Sequence, residues 1–350
     1  MHGRMDLEEF NYQLPEALIA AFPTRERTES RLLVIRRSSG AIVHSVFAEL
    51  GRFLDRGDLL VLNDTKVFPA RLRGTKESGG KVEVLLLERF PEAGRSLWIA
   101  LVDAAKKPRL GTRIDFDHRL SAEVIGDMGR GRFGLEFHHQ GDFEAILDAI
   151  GEAPLPPYVR RSRDAQALDR TRYQTVYAAH AGAIAAPTAG FHFTPELLAQ
   201  LQAQGIDRTL LTLHVGPGTF QPVRDPQIEN HRMEGERYAL DDASAEKINR
   251  TKMLGHRVIA VGSTSTRALE WIALRNGKIT AEEGIARLYI RPGDPFRVLD
   301  GLITNFHLPG STPLILVAAF AGLDLVRRAY QQAIERKYRF YSYGDAMLIL

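Results

Sequence analysis

The chain has 350 residues, 44% of them hydrophobic and 25% charged, a formal net charge of +3 and no cysteine. This is the composition of a folded protein with an ample core, and its length favours two domains over one. The lack of cysteine excludes disulfides, thiolate-bound zinc, iron–sulfur clusters and a cysteine nucleophile, and so small a net charge does not by itself announce a polyanion partner.

The N-terminal residues have no apolar stretch of the secretory kind. The longest late apolar run, Leu314 to Ala321, is too short to span a bilayer. A cytoplasmic protein with no membrane contact is therefore expected.

In chain order, Asp58 to Val61 reads as a buried strand followed by the turn chemistry of Asn63, Asp64 and Thr65, whose side chains bond nearby backbone. From Val67 to Phe137 short strand-like runs (81–86, 97–101, 113–116, 122–125) alternate with glycine-rich turns, as in a small barrel or sandwich. Residues 71–152 hold 13 Lys/Arg against 14 Asp/Glu, so this segment is a poor candidate for a polyanion surface.

Two glycine-rich strings inside it mimic nucleotide loops. Gly129 to Gly134 spells G-x-G-x-x-G, but Leu135 to His138 reads as strand, so no helix N-terminus follows to receive a pyrophosphate, and a hairpin is expected. Gly74 to Val82 has one residue too many for a phosphate loop, and Val82 stands where a magnesium-binding hydroxyl belongs.

Asp142 to Ile150 reads as a helix stopped by Gly151, and Pro154 to Pro157 as a stiff linker. Beyond it strands and helices alternate. A helix from Pro195 to Gln204 has Thr194 as its cap, and strands cover Arg208 to Val215, Arg257 to Val261 and Gly301 to Asn305. Further helices run from Thr266 to Arg275 and onward from Pro313, the latter capped by Thr312. The expected fold is α/β: a largely parallel-sheet main domain of residues 1–66 and 153–350, with an inserted all-β, barrel-like domain at 67–152.

Three histidines, His192, His214 and His307, sit in short loops that follow or end apolar runs. A parallel sheet could bring all three to one edge, where open α/β sheets bind ligands. Gly262 to Arg267 joins a strand to a helix and offers hydroxyls, backbone amides and a guanidinium to an anion, although these are also ordinary capping residues. His138 and His139 point to opposite faces of a strand and cannot share a metal, and no other pattern of metal ligands is present.

Five arginines between Arg160 and Arg172, and a tail in which Arg328, Arg336, Lys337 and Arg339 alternate with Tyr338, Phe340, Tyr341 and Tyr343, carry the elements of single-stranded RNA recognition. A solvated basic helix face would look the same.

The strings GDLLVLNDTKVFPARLRG, PTAGFHFTPELL, TLHVGPGTFQPV, VGSTSTRALE, TNFHLPGSTPLIL and YRFYSYGDAML, with YQLPEALIA, RTESRLLV, LPPYVRR and RYQTVYA, resemble the S-adenosylmethionine:tRNA ribosyltransferase-isomerase family of queuosine biosynthesis over nearly the whole chain. One block departs. Where the family usually reads H-x-M-H-x-E, this chain has His231-Arg232-Met233-Glu234-Gly235-Glu236.

The resemblance implies transfer and isomerisation of the ribosyl part of S-adenosylmethionine, a cosubstrate, onto 7-aminomethyl-7-deazaguanine at the tRNA wobble position. Adenine and methionine leave, and no prosthetic group or metal takes part. It implies tRNA as the partner; separately, a monomer is expected.

Such chemistry asks for acids and bases near neutrality. We expect His192, His214 and His307 to move protons, with Asp64 or Asp345 orienting an imidazole. Thr188, Gly190, Thr219, Ser263, Thr264, Ser265, Arg267 and Asn305 are the expected cosubstrate contacts, and Arg160, Arg161, Arg336, Arg339 and Tyr343 the expected tRNA contacts. The competing readings are a non-catalytic RNA-binding protein and a methyltransferase, although the glycine-rich first loop of a Rossmann-type methyltransferase is absent.

Overall fold

The computed structural model describes residues 5–92, 94–155, 166–216 and 223–350. Among them, nine strands form one twisted sheet. Its spatial order is Glu282–Ala286, Glu236–Leu240, Asp207–Leu213, Leu59–Asn63, Val258–Val261, Gly301–Asn305, Ala346–Ile349, Arg31–Arg36 and Ala41–Val46.

The four central strands, from Asp207–Leu213 to Gly301–Asn305, are mutually parallel. Antiparallel strands flank them, and Ala346–Ile349 runs antiparallel to Gly301–Asn305 but parallel to Arg31–Arg36. The sheet is thus parallel at its centre and mixed towards its edges.

The apolar runs explain this layering. Strands covered on both faces need apolar residues in unbroken sequence, and Leu32 to Ile35, Leu59 to Leu62 and Val258 to Val261 are each buried throughout. Leu33, Val61 and Ala260 face one core with helices Asp242–Met253, Ser263–Asn276, Thr312–Ala321 and Leu323–Glu335. Leu32, Leu60 and Ile259 face the other, with Phe47 and helix Pro195–Ala203.

The segment between this sheet's strands forms a closed six-stranded antiparallel barrel, its strands lying between Arg71 and His139. Alternating residues such as Leu72, Val82, Val84 and Ala122 fill it, and Phe143, Ile146 and Leu147 of the helix Phe143–Ile150 pack into the same cluster. Both glycine-rich strings are hairpins of this barrel, with Gly129, Arg130 and Gly131 at positive φ in one turn.

Two ion pairs tie the barrel to the sheet: Arg132 to Glu234 at 2.5 Å and Arg237 to Glu88 at 2.7 Å. The glutamate that departs from the usual histidine is therefore the partner of a barrel arginine.

Some element ends differ from expectation. The helix expected to begin at Thr266 begins at Ser263, directly after Gly262. The cap of the helix at Thr312 is Ser311, whose hydroxyl accepts from Leu314 N. Both shifts have one cause: serine and threonine serve equally well as cap or first-turn residue, so their identity alone does not set the boundary.

Candidate active site

The carboxyl ends of the parallel strands converge on a cleft of about 120 Å³. Thr188 and Val215 line it from two loops, Ser263 and Thr264 from a helix start, and Asn305 and His307 from the end of a strand. Tyr341 and Ser342 line it from the last loop of the chain. The position is the one that parallel topology dictates for a ligand.

Asn63 braces the strand ends that lead to the cleft. Fully buried at its strand's end, it accepts from Leu213 N at 3.0 Å and Thr65 N at 3.1 Å and donates to Leu213 O at 3.0 Å. It thereby fixes two strand ends and their outgoing loops side by side. Its Nδ2 also reaches Thr264 Oγ1 at 3.4 Å.

Of the three histidines, His307 alone lines the cleft. Its Nε2 lies 2.8 Å from Thr304 Oγ1, its amide donates to the Tyr330 hydroxyl, and its carbonyl accepts from the Tyr12 hydroxyl. Burial holds its imidazole well below the ordinary range.

His192 lies behind the cleft wall. Only 3% exposed, it packs on Phe47 with ring centroids 5.0 Å apart. Burial, then Arg27 and Arg339, lower its pKa to about 3, so the ring is neutral at physiological pH. Its Nε2 meets Asn305 Nδ2.

His214 is outside the cleft lining. Its Nδ1 lies 2.8 Å from Thr65 Oγ1, and its ring rests against Gly182, where any Cβ would collide with it. Burial, then His180 and Arg237, lower its pKa, against a raising effect of Asp64. Asp64, itself buried, accepts from Thr212 Oγ1 at 2.6 Å and lies 3.5 Å from the exposed His180. Sequence reasoning missed His180, which only the pairing of His180–Ala183 with Thr65–Val67 brings there.

Other expected site residues have internal partners. Arg267 is buried against Glu236 and donates to the carbonyls of Leu288 and Glu234, and it lines a small cavity with Ser263 and Thr264. Ser265 is fully buried and donates to Val261 O, as Thr266 does to Gly262 O, because hydroxyls inside a helix bond back one turn. Ser263 and Thr264 remain at the cleft.

Asp345 contacts none of the three imidazoles. It accepts from Arg31 N and Nε and from Arg339 N, and so pins the last loop to the first strand. Gly190 is needed because Tyr177 and Thr175 leave no room for a Cβ.

Tyr343 is no surface contact. It is 3% exposed, its hydroxyl donates to Asp169 at 2.8 Å, and it packs with Tyr173 and Phe191. The alternating tail is mostly core, with Tyr338 and Phe340 also buried. Arg336 is exposed, whereas Arg339 is half-buried and donates to Phe22 O. Arg160, Arg161 and Thr219 lie outside the described residues.

No group of three metal-binding side chains occurs among the described residues, and no helix there is long and apolar enough to cross a membrane.

A parallel-centred sheet with a cleft at its carboxyl edge, joined to a closed barrel, is an α/β architecture whose ligand position is set by its topology. The chain belongs to the family described as queuosine biosynthesis protein, whose pattern matches residues 7–349.

It is 48% identical over 346 residues to the S-adenosylmethionine:tRNA ribosyltransferase-isomerase of Syntrophotalea carbinolica, covering 99% of this chain and 100% of the relative. To the protein of the same name from Anaeromyxobacter sp. it is 50% identical over 347 residues, covering 99% of each. The crystal structure of S-adenosylmethionine tRNA ribosyltransferase from Thermotoga maritima matches with a TM-score of 0.55 and 37% identity, over 98% of this chain and 100% of that one.

Proposed function

We propose that this protein transfers and isomerises the ribosyl moiety of S-adenosylmethionine onto 7-aminomethyl-7-deazaguanine at the wobble position of tRNA, with release of adenine and methionine. The product is epoxyqueuosine-tRNA. Full-length likeness to relatives of that name supports the reaction. The observation that carries it to a site is the cleft in which His307, Asn305, Thr188, Ser263 and Thr264 converge.

The cosubstrate's parts have matching surroundings. Gly262 offers no capping side chain to the helix Ser263–Asn276, so its first amides and the Ser263 and Thr264 hydroxyls suit the methionine carboxylate. His307 is assigned proton transfer in the cleft. The imidazole of His214, its pKa lowered mainly by burial, is assigned as the base that keeps the attacking amine uncharged.

His192 is assigned to hold Asn305. The wobble base must leave its stack to react, as in other enzymes that act on a nucleobase, and the exposed Arg336 is placed among the residues that grip tRNA phosphates.

The test is chromatography of S-adenosylmethionine incubated with the protein and tRNA bearing either 7-aminomethyl-7-deazaguanine or guanine at the wobble position. Adenine and methionine released only with the modified tRNA are expected. S-adenosylhomocysteine would overturn the reading in favour of methylation, and tRNA binding without any release in favour of an RNA-binding protein.

A further inference from the structure

Among the described residues, three other than glycine have positive φ: Arg130, Lys337 and Tyr341. Arg130 sits in a barrel hairpin and Lys337 just past the end of the helix Leu323–Glu335, both positions where left-handed backbone is usual. Tyr341, at φ 77°, is in neither setting. A bulky side chain is uncommon there, and such residues gather at ligand sites, where surrounding structure holds them.

That holding structure is visible. Tyr341 N donates to Phe306 O at 3.0 Å, one residue before His307, and Tyr341 O accepts from Gly344 N at 2.9 Å. Phe340 and Ser342 on either side are buried. Of the four rings in this tail, Tyr338, Phe340 and Tyr343 belong to the core, and Tyr341 alone stays partly exposed. It lines the cleft opposite no other benzene-type ring, since every other lining side chain is aliphatic, hydroxyl, amide or imidazole.

We propose that Tyr341 is the platform on which a planar purine-like base stacks in the cleft. This rests on the proposed function, which supplies two such bases: the adenine of S-adenosylmethionine and the deazaguanine of the tRNA. Stacking is tolerant of base identity because every base has a π-face.

The experiment compares wild type with Tyr341→Gly and Tyr341→Phe, measuring equilibrium binding of S-adenosylmethionine and of modified tRNA, adenine release, and melting temperature. Glycine is at ease at φ 77°, so Tyr341→Gly is expected to melt no lower than wild type. Its affinity for one of the two ligands is expected to fall by roughly 10- to 100-fold, and Tyr341→Phe to restore it to within about threefold.

Loss for S-adenosylmethionine alone assigns the adenine, and loss for tRNA alone assigns the deazaguanine. Tyr341→Gly binding both ligands within twofold of wild type would overturn the proposal, as would failure of Tyr341→Phe to restore binding. If wild type binds S-adenosylmethionine through Tyr341 yet releases no adenine, the stacking stands and the proposed reaction falls. If wild type reacts and Tyr341→Gly is indistinguishable from it, the reverse holds.

Discussion

Asn305 Nδ2 stands 3.2 Å from His192 Nε2, while Asn305 Oδ1 accepts the Thr188 hydroxyl at 3.0 Å. The hydroxyl can only be the donor to an amide oxygen, so the amide nitrogen donates to the ring and the His192 proton resides on Nδ1. A buried imidazole thus orients an amide that faces the cleft.

From this follows a pH–rate prediction. With a pKa near 3, His192 contributes no ionisation between pH 5 and 8. Replacing it with Gln should lower kcat/KM about tenfold through a misoriented Asn305, while the apparent pKa of the acid limb stays where it is in wild type. A pH profile of adenine release checks this, and a displaced acid limb would make His192 a proton-transfer group instead.

Stability should also respond to acid. His192 ionises near 6.5 when unfolded and near 3 when folded, so between these values the unfolded chain binds more protons and stability falls as pH drops. The full contribution is present above about pH 6.5, and each unit below it removes about 1.4 kcal/mol per such imidazole. Melting temperatures of wild type and His192→Gln from pH 7.5 to 5 should show a shallower decline for the variant.

Arg267→Ala should act on folding. The guanidinium and the Glu236 carboxylate are 5% and 2% exposed, and removing one leaves the other buried without its partner, at a cost of about 3–5 kcal/mol. Arg267→Met combined with Glu236→Leu should recover most of that loss. Urea unfolding of the two single variants and the double variant measures the coupling.

His307→Ala should slow adenine release by about 10²- to 10⁴-fold if His307 transfers a proton in the cleft. His214→Ala should instead respond to pH, losing most where the aminomethyl group is protonated. Single-turnover kinetics separate the two effects from product release.

Binding of tRNA should weaken steeply with salt as counterions are released, whereas binding of S-adenosylmethionine should change little. Filter binding from 50 to 200 mM salt, beside calorimetry with the small ligand, tests both.

The sheet's centre was legible because strands buried on both faces must be written as unbroken apolar runs, and Leu59 to Leu62 and Val258 to Val261 are such runs. The barrel was legible from short alternating segments closed by glycine turns. Of the three histidine loops, topology brings His307 to the cleft at the end of a parallel strand, while His192 lies behind its wall and His214 outside its lining.

What escaped was pairwise. Nothing local marks Arg267 as the partner of Glu236, 31 positions away, or Asp345 as the anchor of Arg31, 314 positions away. The tail misled because Arg and Tyr in alternation look alike whether the rings stack on bases or, like Tyr343, fill a core. The left-handed turn at Tyr341 has no signature, since sequence announces such turns through glycine or asparagine.

The Arg132–Glu234 and Arg237–Glu88 pairs are both partly exposed, so each holds the barrel with no more than about 1 kcal/mol and both weaken together as the screening length shortens. The barrel's remaining ties include the backbone bond from Phe68 N to Ala183 O and the burial of Ile184 in its core. An acid at position 234 therefore makes part of the barrel's attachment ionic, and that part alone weakens as ionic strength rises.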